Sequence, residues 1–171
     1  MTAVDVAARN PERDAQDVLE AVWIRDEDGI VVPVNPIAIA KDLGIQVFVA
    51  ELEDDVSGML VKEPDSAAAI YLNRQNSDTR QRFTCAHEIG HSLRRAAVGD
   101  DDWSYVDLRS PLSSTGEDGE ERYANRFAAS LLMPRTEVTR LAERHGPAML
   151  AYRFGVSSEA MSFRLNTLRL W

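Results

Sequence analysis

Three residues in one short stretch, His87, Glu88 and His91, have the types and the spacing to do metal chemistry. They make the pattern HExxH within His87-Glu88-Ile89-Gly90-His91. On a helix, positions i and i+4 share a face, so both imidazoles can reach one ion. Glu88, one step round the helix, lies beside the coordination position left open. There it can accept a proton from water, the arrangement that metal-dependent peptide hydrolysis requires. The apolar neighbours Phe83, Ala86, Ile89 and Leu93 put this segment in an interior rather than on a solvated face. The chain has only three histidines, and two of them are in the motif.

A catalytic metal needs a third protein ligand. His145 precedes Gly146-Pro147 at a helix end, where a cation complements the helix dipole, so it reads as a cap. Carboxylates cluster downstream at Glu117, Asp118, Glu120 and Glu121. Glu121, Ala124, Asn125 and Ala128 form a stripe of small or polar residues that lets one helix approach another closely. Glu121 could then ligate the metal, and Asn125, one turn on, could hold a ligand histidine from behind. Glu120, on a stripe with Tyr123 and Phe127, is the rival, and spacing leaves both open. All these acids would also suit a first helical turn. Cys85, two residues before His87, has a thiol that could ligate or oxidise, but it reads as a small buried residue. Tyr71, Tyr105 and Tyr123 could steady a developing oxyanion, though aromatics mostly fill cores.

The elements that must position these groups follow from periodicity and punctuation. Residues 11–24 read as a helix opened by Pro11, with Ala15, Val18, Leu19 and Val22 at helical spacing. A charged turn follows at 25–29, and a short helix spans 36–43, stopped by Gly44. Three strand-like runs, 45–52, 56–62 and 67–72, are separated by acidic turns, and an antiparallel meander is the simplest arrangement for them. The HExxH helix covers 79–95. Residues 99–118 are polar, acidic and rich in Ser, Gly and Pro, and read as a loop. Helices cover 120–133 and 135–145, and two short ones fill 148–170 around Gly155-Val156-Ser157. The expected fold class is therefore α+β: a small antiparallel sheet packed on the HExxH helix, with a C-terminal helical tail. One domain over 1–171 is expected, with its catalytic core at 34–134 and the tail at 135–171.

Composition narrows the function. A chain of 171 residues, 44% hydrophobic, can bury a real core. Its formal net charge of -9 makes it a poor general binder of nucleic acid. The single cysteine excludes an internal disulfide. No apolar run approaches the roughly 20 residues needed to span a bilayer, and residues 1–10 do not make a secretory signal. A cytoplasmic protein is the default expectation.

The paired runs Arg82-Phe83-Thr84-Cys85-Ala86-His87-Glu88-Ile89-Gly90-His91 and Glu121-Arg122-Tyr123-Ala124-Asn125-Arg126-Phe127-Ala128-Ala129-Ser130-Leu131-Leu132-Met133-Pro134 closely resemble the ImmA/IrrE family of metallopeptidases. The resemblance extends through Val34-Asn35-Pro36-Ile37 and Ala40 to Ile45 upstream, and through Phe154 to Ser157 with Arg164-Leu165 downstream. It implies a zincin-like fold, gluzincin-like ligation by His87, His91 and Glu121, and Glu88 as general base. It thereby favours Glu121 over Glu120. It implies Zn2+ as cofactor, with Mn2+ or another divalent ion as a substitute. It also implies a protein substrate, a helix-turn-helix (XRE-like) repressor or the antitoxin of a toxin-antitoxin pair, whose cleavage derepresses transcription. Larger members carry a C-terminal sensor domain, which a chain ending at Trp171 is too short to hold.

Two further expectations concern surfaces. The strand at 68–73, directly before the HExxH helix, could pair with an extended peptide. The acidic run Asp100-Asp101-Asp102 could attract a basic substrate or simply be solvated. A competing function is a regulator that binds DNA or sequesters a partner. The tail imitates a helix-turn-helix and carries six arginines against three glutamates from Pro134 onward. Arg164 and Arg169 are sparse for phosphate contact, however, so direct nucleic-acid binding is not the expectation.

Overall fold

The computed structural model describes residues 10–27, 29–98, 103–108 and 119–171. At 103–108 only the backbone is described. The acidic run Asp100-Asp101-Asp102 lies outside these residues, as do Glu117 and Asp118.

Helix α1 spans Pro11–Val22 because Asn10 caps it and Pro11 sits at its first turn. The Asn10 side chain accepts hydrogen bonds from the Glu12 and Arg13 amides. Ala15, Val18 and Leu19 are its buried face. The charged turn closes as a two-residue ribbon, β1 (Arg25–Asp26) against β2 (Gly29–Ile30). Helix α2, Pro36–Asp42, repeats the opening device of α1, with Asn35 accepting from Ile37 and Ala38.

Three further strands follow, β3 (Gln46–Ala50), β4 (Val56–Lys62) and β5 (Ala69–Asn73). A fourth, β6 (Trp103–Leu108), completes a sheet of order β3-β5-β4-β6. The sheet is mixed, not an antiparallel meander. β3 runs parallel to β5, whereas β4 is antiparallel to both β5 and β6. β5 is therefore inserted between the two strands that precede it in sequence. The link from β3 to β4 must arch over the end of β5, and Asn73 supports that arch. Its amide Nδ2 donates to the Glu53 carbonyl at 3.1 Å and the Val56 carbonyl at 2.7 Å. The loop expected at 99–118 also needs correction, because β6 lies inside it.

One sheet face is packed and buries Leu60, Ile70 and Leu72 completely. Burial of that kind contributes about 2 kcal/mol per side chain. Against this sheet lies α3, Asp78–Val98, the HExxH helix, and against α3 lies α4, Gly119–Leu132. Phe127 and Leu131 from α4 join the same core. Helices α5 (Arg135–Ala142), α6 (Pro147–Phe154) and α7 (Ser158–Leu168) complete the chain.

Two arginines, the half-buried Arg82 and the buried Arg164, join distant segments. Arg82 of α3 donates to the carbonyls of Val34, Phe154 and Gly155. Arg164 of α7 donates to the Met133 carbonyl and to Glu12 of α1. Among the described residues, no helix is long and apolar enough to cross a membrane.

Candidate metal centre

The middle of α3 is deeply buried. Cys85, Ala86, Glu88 and Ile89 are fully buried, and His87 and His91 are nearly so. One face of α3 meets α4 across Gly90. A Cβ at Gly90 would stand 3.2 Å from the Ala124 Cα and 3.1 Å from the Phe127 ring. The small residues at 90 and 124 therefore set how near α4 comes to the histidines.

That proximity brings Glu121 to both imidazoles. Its Oε1 lies 3.1 Å from His91 Nε2, and its Oε2 lies 3.5 Å from His87 Nε2. The two Nε2 atoms are 3.0 Å apart. The ligand atoms of His87, His91 and Glu121 all fall within 4.8 Å of one another. Bonds of about 2.05 Å at tetrahedral angles would separate ligand atoms by about 3.3 Å, so this triangle is the right size for one ion.

The histidine tautomer fits as well. His87 Nδ1 lies 3.0 Å from the Asn125 Oδ1. A proton on Nδ1, donated to that oxygen, leaves the Nε2 lone pair facing His91 and Glu121. Burial lowers the His91 pKa and favours the neutral ring that a metal requires. Burial would raise the Glu121 carboxyl, but hydrogen bonds and charge from His87 and His91 outweigh it and hold the group at about 2. Two imidazole nitrogens beside a carboxylate are a donor set suited to a divalent cation.

Glu120 turns elsewhere and accepts from Arg95 Nη2 at 3.1 Å. Tyr123 is buried, donates its hydroxyl to Asp14 and lies under Arg94, so it serves the α1–α4 contact. Tyr71 stacks on Phe48 with ring centroids 5.3 Å apart, on the sheet face away from the buried Ile70 and Leu72. Tyr105 belongs to β6, of which only the backbone is described. His145 follows the end of α5 and is not in the metal-sized group. Burial pushes the Cys85 thiol up to about 12, and the Glu88 charge adds to this, so it stays protonated.

The strand at 68–73 is not an open edge. β5 is paired on both sides, and the outer strands are β3 and β6. Sequence reasoning passed over Ser57 and Gly58 of β4. A Cβ at Gly58 would lie 3.8 Å from Glu88 Oε1. Their only signal was the small residues interrupting an otherwise apolar strand. In the tail, Arg164 points inward to Glu12 and Met133, which removes one of the cations a DNA-binding surface would use.

A family model described as Peptidase_M78, IrrE N-terminal-like domain, matches residues 40–166. The chain belongs to this family. Among its Peptidase_M78 relatives is the radiation response metalloprotease IrrE of Deinococcus radiodurans, 37% identical over 57% of this chain and 30% of that protein. The protein of the same name in Deinococcus deserti is 39% identical over 56% of this chain and 35% of its own length. The chain thus spans about a third of the length of these relatives. A solved structure titled as a Mycobacterium tuberculosis transcriptional regulator shares the fold, with a TM-score of 0.61 at 22% identity. The match covers 91% of this chain and 46% of the other.

Proposed function

We propose that this protein is a metal-dependent endopeptidase in which His87, His91 and Glu121 hold the ion and Glu88 is the general base. The observation that carries the reading is the closure of His87, His91 and Glu121 into one metal-sized group beside a buried Glu88. Zinc is the default for two imidazoles and a carboxylate, with manganese as a substitute. An ion there would supply Lewis acidity, polarising a scissile carbonyl and making water more acidic.

The residues of the chain supply the rest. Asn125 keeps the His87 ring in the tautomer that leaves Nε2 free. Glu121 stays ionised across the physiological range, because its carboxyl is held at about 2. Glu88 accepts the proton of the attacking water and passes it to the departing amine. The protein core around α3 excludes bulk solvent, which strengthens each of these interactions.

The substrate in this reading is a protein partner, a helix-turn-helix repressor or an antitoxin, met in the cytoplasm. An extended segment of it would pair with an outer strand of the sheet, β3 or β6, since β5 is closed on both sides.

The test is co-incubation of the metal-loaded protein with the product of a neighbouring helix-turn-helix gene, followed by intact-mass analysis. Cleavage at one bond by the wild type and none by Glu88→Gln is the expected result. Undiminished cleavage by metal-loaded Glu88→Gln would remove Glu88 from the mechanism.

A further inference from the structure

The site described so far is gripped from the α4 side. Its other wall is β4, and the local structure of that strand is unusual. Opposite β6, Val56 faces Leu108 while Gly58 faces Asp107, so Ser57 is an extra residue in a bulge. Three polar side chains, from the end of β5, the β5–α3 connection and the start of α3, hold this bulge. Asn73 Nδ2 donates to the Val56 carbonyl at 2.7 Å, and Asn76 Nδ2 donates to the Ser57 carbonyl at 3.3 Å. Arg80 donates through Nε and Nη2 to the Ser57 hydroxyl at 3.2 and 2.9 Å. Ser57 and Asn73 are fully buried.

The residue after the bulge is Gly58. A Cβ there would stand 2.4 Å from Thr84 Cγ2, 3.1 Å from the Tyr71 carbonyl and 3.8 Å from Glu88 Oε1. The first distance is a collision, so no side chain fits while β4 and α3 keep their spacing. Thr84 and Glu88 are four residues apart and share one face of α3, the face turned to β4. Ser57 cannot drift, because its carbonyl and hydroxyl are both engaged. The bare Gly58 backbone is therefore pressed against the part of α3 that carries the Glu88 carboxylate.

We propose that the clamped Ser57–Gly58 bulge is the device that positions the Glu88 carboxylate, with Gly58 and Arg80 as positioning residues. This rests on the reading of Glu88 as general base. The histidine ligands face α4, where Asn125 and Glu121 hold them, so they do not need this wall. Glu88 faces β4 and does. Widening the gap between β4 and α3 frees the carboxylate to rotate while the three ligands keep their triangle.

The experiment uses the cobalt(II)-substituted 171-residue chain titrated with acetohydroxamate, which binds a metal through two oxygens and hydrogen-bonds a carboxylate beside it. The visible bands of cobalt report binding without any substrate. Glu88→Gln should weaken acetohydroxamate about tenfold, the loss of one charge-assisted hydrogen bond. Gly58→Ala should weaken it to a similar degree, while zinc affinity, read with a chromogenic chelator, stays within about threefold, since the ligands are untouched. Gly58→Ala/Thr84→Ser removes the struck methyl group and should recover most of the lost affinity. Arg80→Met, which frees the Ser57 hydroxyl without adding bulk, should weaken binding about threefold, a smaller loss because Asn73 and Asn76 still hold the bulge.

Normal acetohydroxamate binding by Gly58→Ala, when Glu88→Gln is impaired, overturns the inference and leaves the base assignment standing. If Gly58→Ala does not fold, Arg80→Met decides, and wild-type affinity in that variant overturns the inference. No binding by the wild type, or no effect of Glu88→Gln, overturns the reading of the site and this inference with it.

Discussion

Asn125 holds His87 by its inner nitrogen, with Oδ1 3.0 Å from Nδ1. The amide therefore selects the tautomer as well as the ring orientation. Asn125→Ala should leave the fold intact and weaken zinc binding by about 10- to 100-fold, the usual result of removing such a partner. Asn125→Asp, which keeps an acceptor, should recover much of it. Competition against a chromogenic chelator measures both.

Glu121 and Glu120 are neighbours with different partners, and their substitutions should separate cleanly. Glu121→Ala removes one of the three proposed ligands and should weaken metal binding beyond the roughly 100-fold limit of outer partners. Glu120→Ala loses the part-exposed pair with Arg95, worth about 0.5 kcal/mol, and removes no atom of the metal-sized group, so metal affinity should change far less. Metal content after gel filtration, read beside thermal melts, distinguishes the two.

Metal binding should also register as stability. At a free concentration 100 times Kd, the ion should stabilise the folded protein by about 2.7 kcal/mol. His91→Ala should abolish the shift in Tm on adding zinc. Chelator treatment of the wild type should return its Tm to the metal-free value.

The link between α1 and α7 predicts a dependence on pH. Burial would raise the Glu12 carboxyl, but Arg135 and Arg164 outweigh it and hold it below its usual 4.5. A carboxyl lowered on folding adds stability above its unfolded pKa and loses it as pH falls through the folded value. Glu12→Gln should therefore cost about 1 kcal/mol near neutral pH, discounted because the group is about one-third exposed. The gap from wild type should begin to close below about pH 4.5 and vanish in stronger acid. Denaturant melts across pH 3–7 would show it, and a gap that widened in acid would refute the assignment.

Gly90 sets the spacing between α3 and α4. Gly90→Val would drive bulk into the Ala124 backbone and the Phe127 ring. A cost of about 1–3 kcal/mol is expected from such overpacking. Zinc affinity should fall with it, since Glu121 would be carried away from the histidines. Chemical denaturation and metal titration on one sample test both effects.

Much of this was legible because the signals are local. Asn10-Pro11 and Asn35-Pro36 announce α1 and α2, and the spacing of His87 and His91 implies their shared face. Glu121 could not be chosen over Glu120 by spacing, because adjacent helical residues differ by only about 100°. Arg95, twenty-five residues earlier, engages Glu120, while Glu121 lies beside the two histidines. The strand order was hidden for a similar reason. Short turns suggested neighbours, whereas the Asn73 amide carries the chain across β5. β6 was missed because Trp103, Tyr105, Val106 and Leu108 carry a strand signal inside an acidic, Ser- and Gly-rich stretch.

Arg82 gives the C-terminal helices a meaning of their own. Two of the three carbonyls that receive its guanidinium, those of Phe154 and Gly155, lie at the α6–α7 corner, while Arg82 itself stands five residues before His87. A fragment cut after Pro134 would retain His87, His91 and Glu121 yet leave this half-buried cation with the Val34 carbonyl of the three it now reaches. Dissection of the chain to a minimal folded unit should therefore keep residues through Gly155, because the tail is part of the scaffold that seats the HExxH helix.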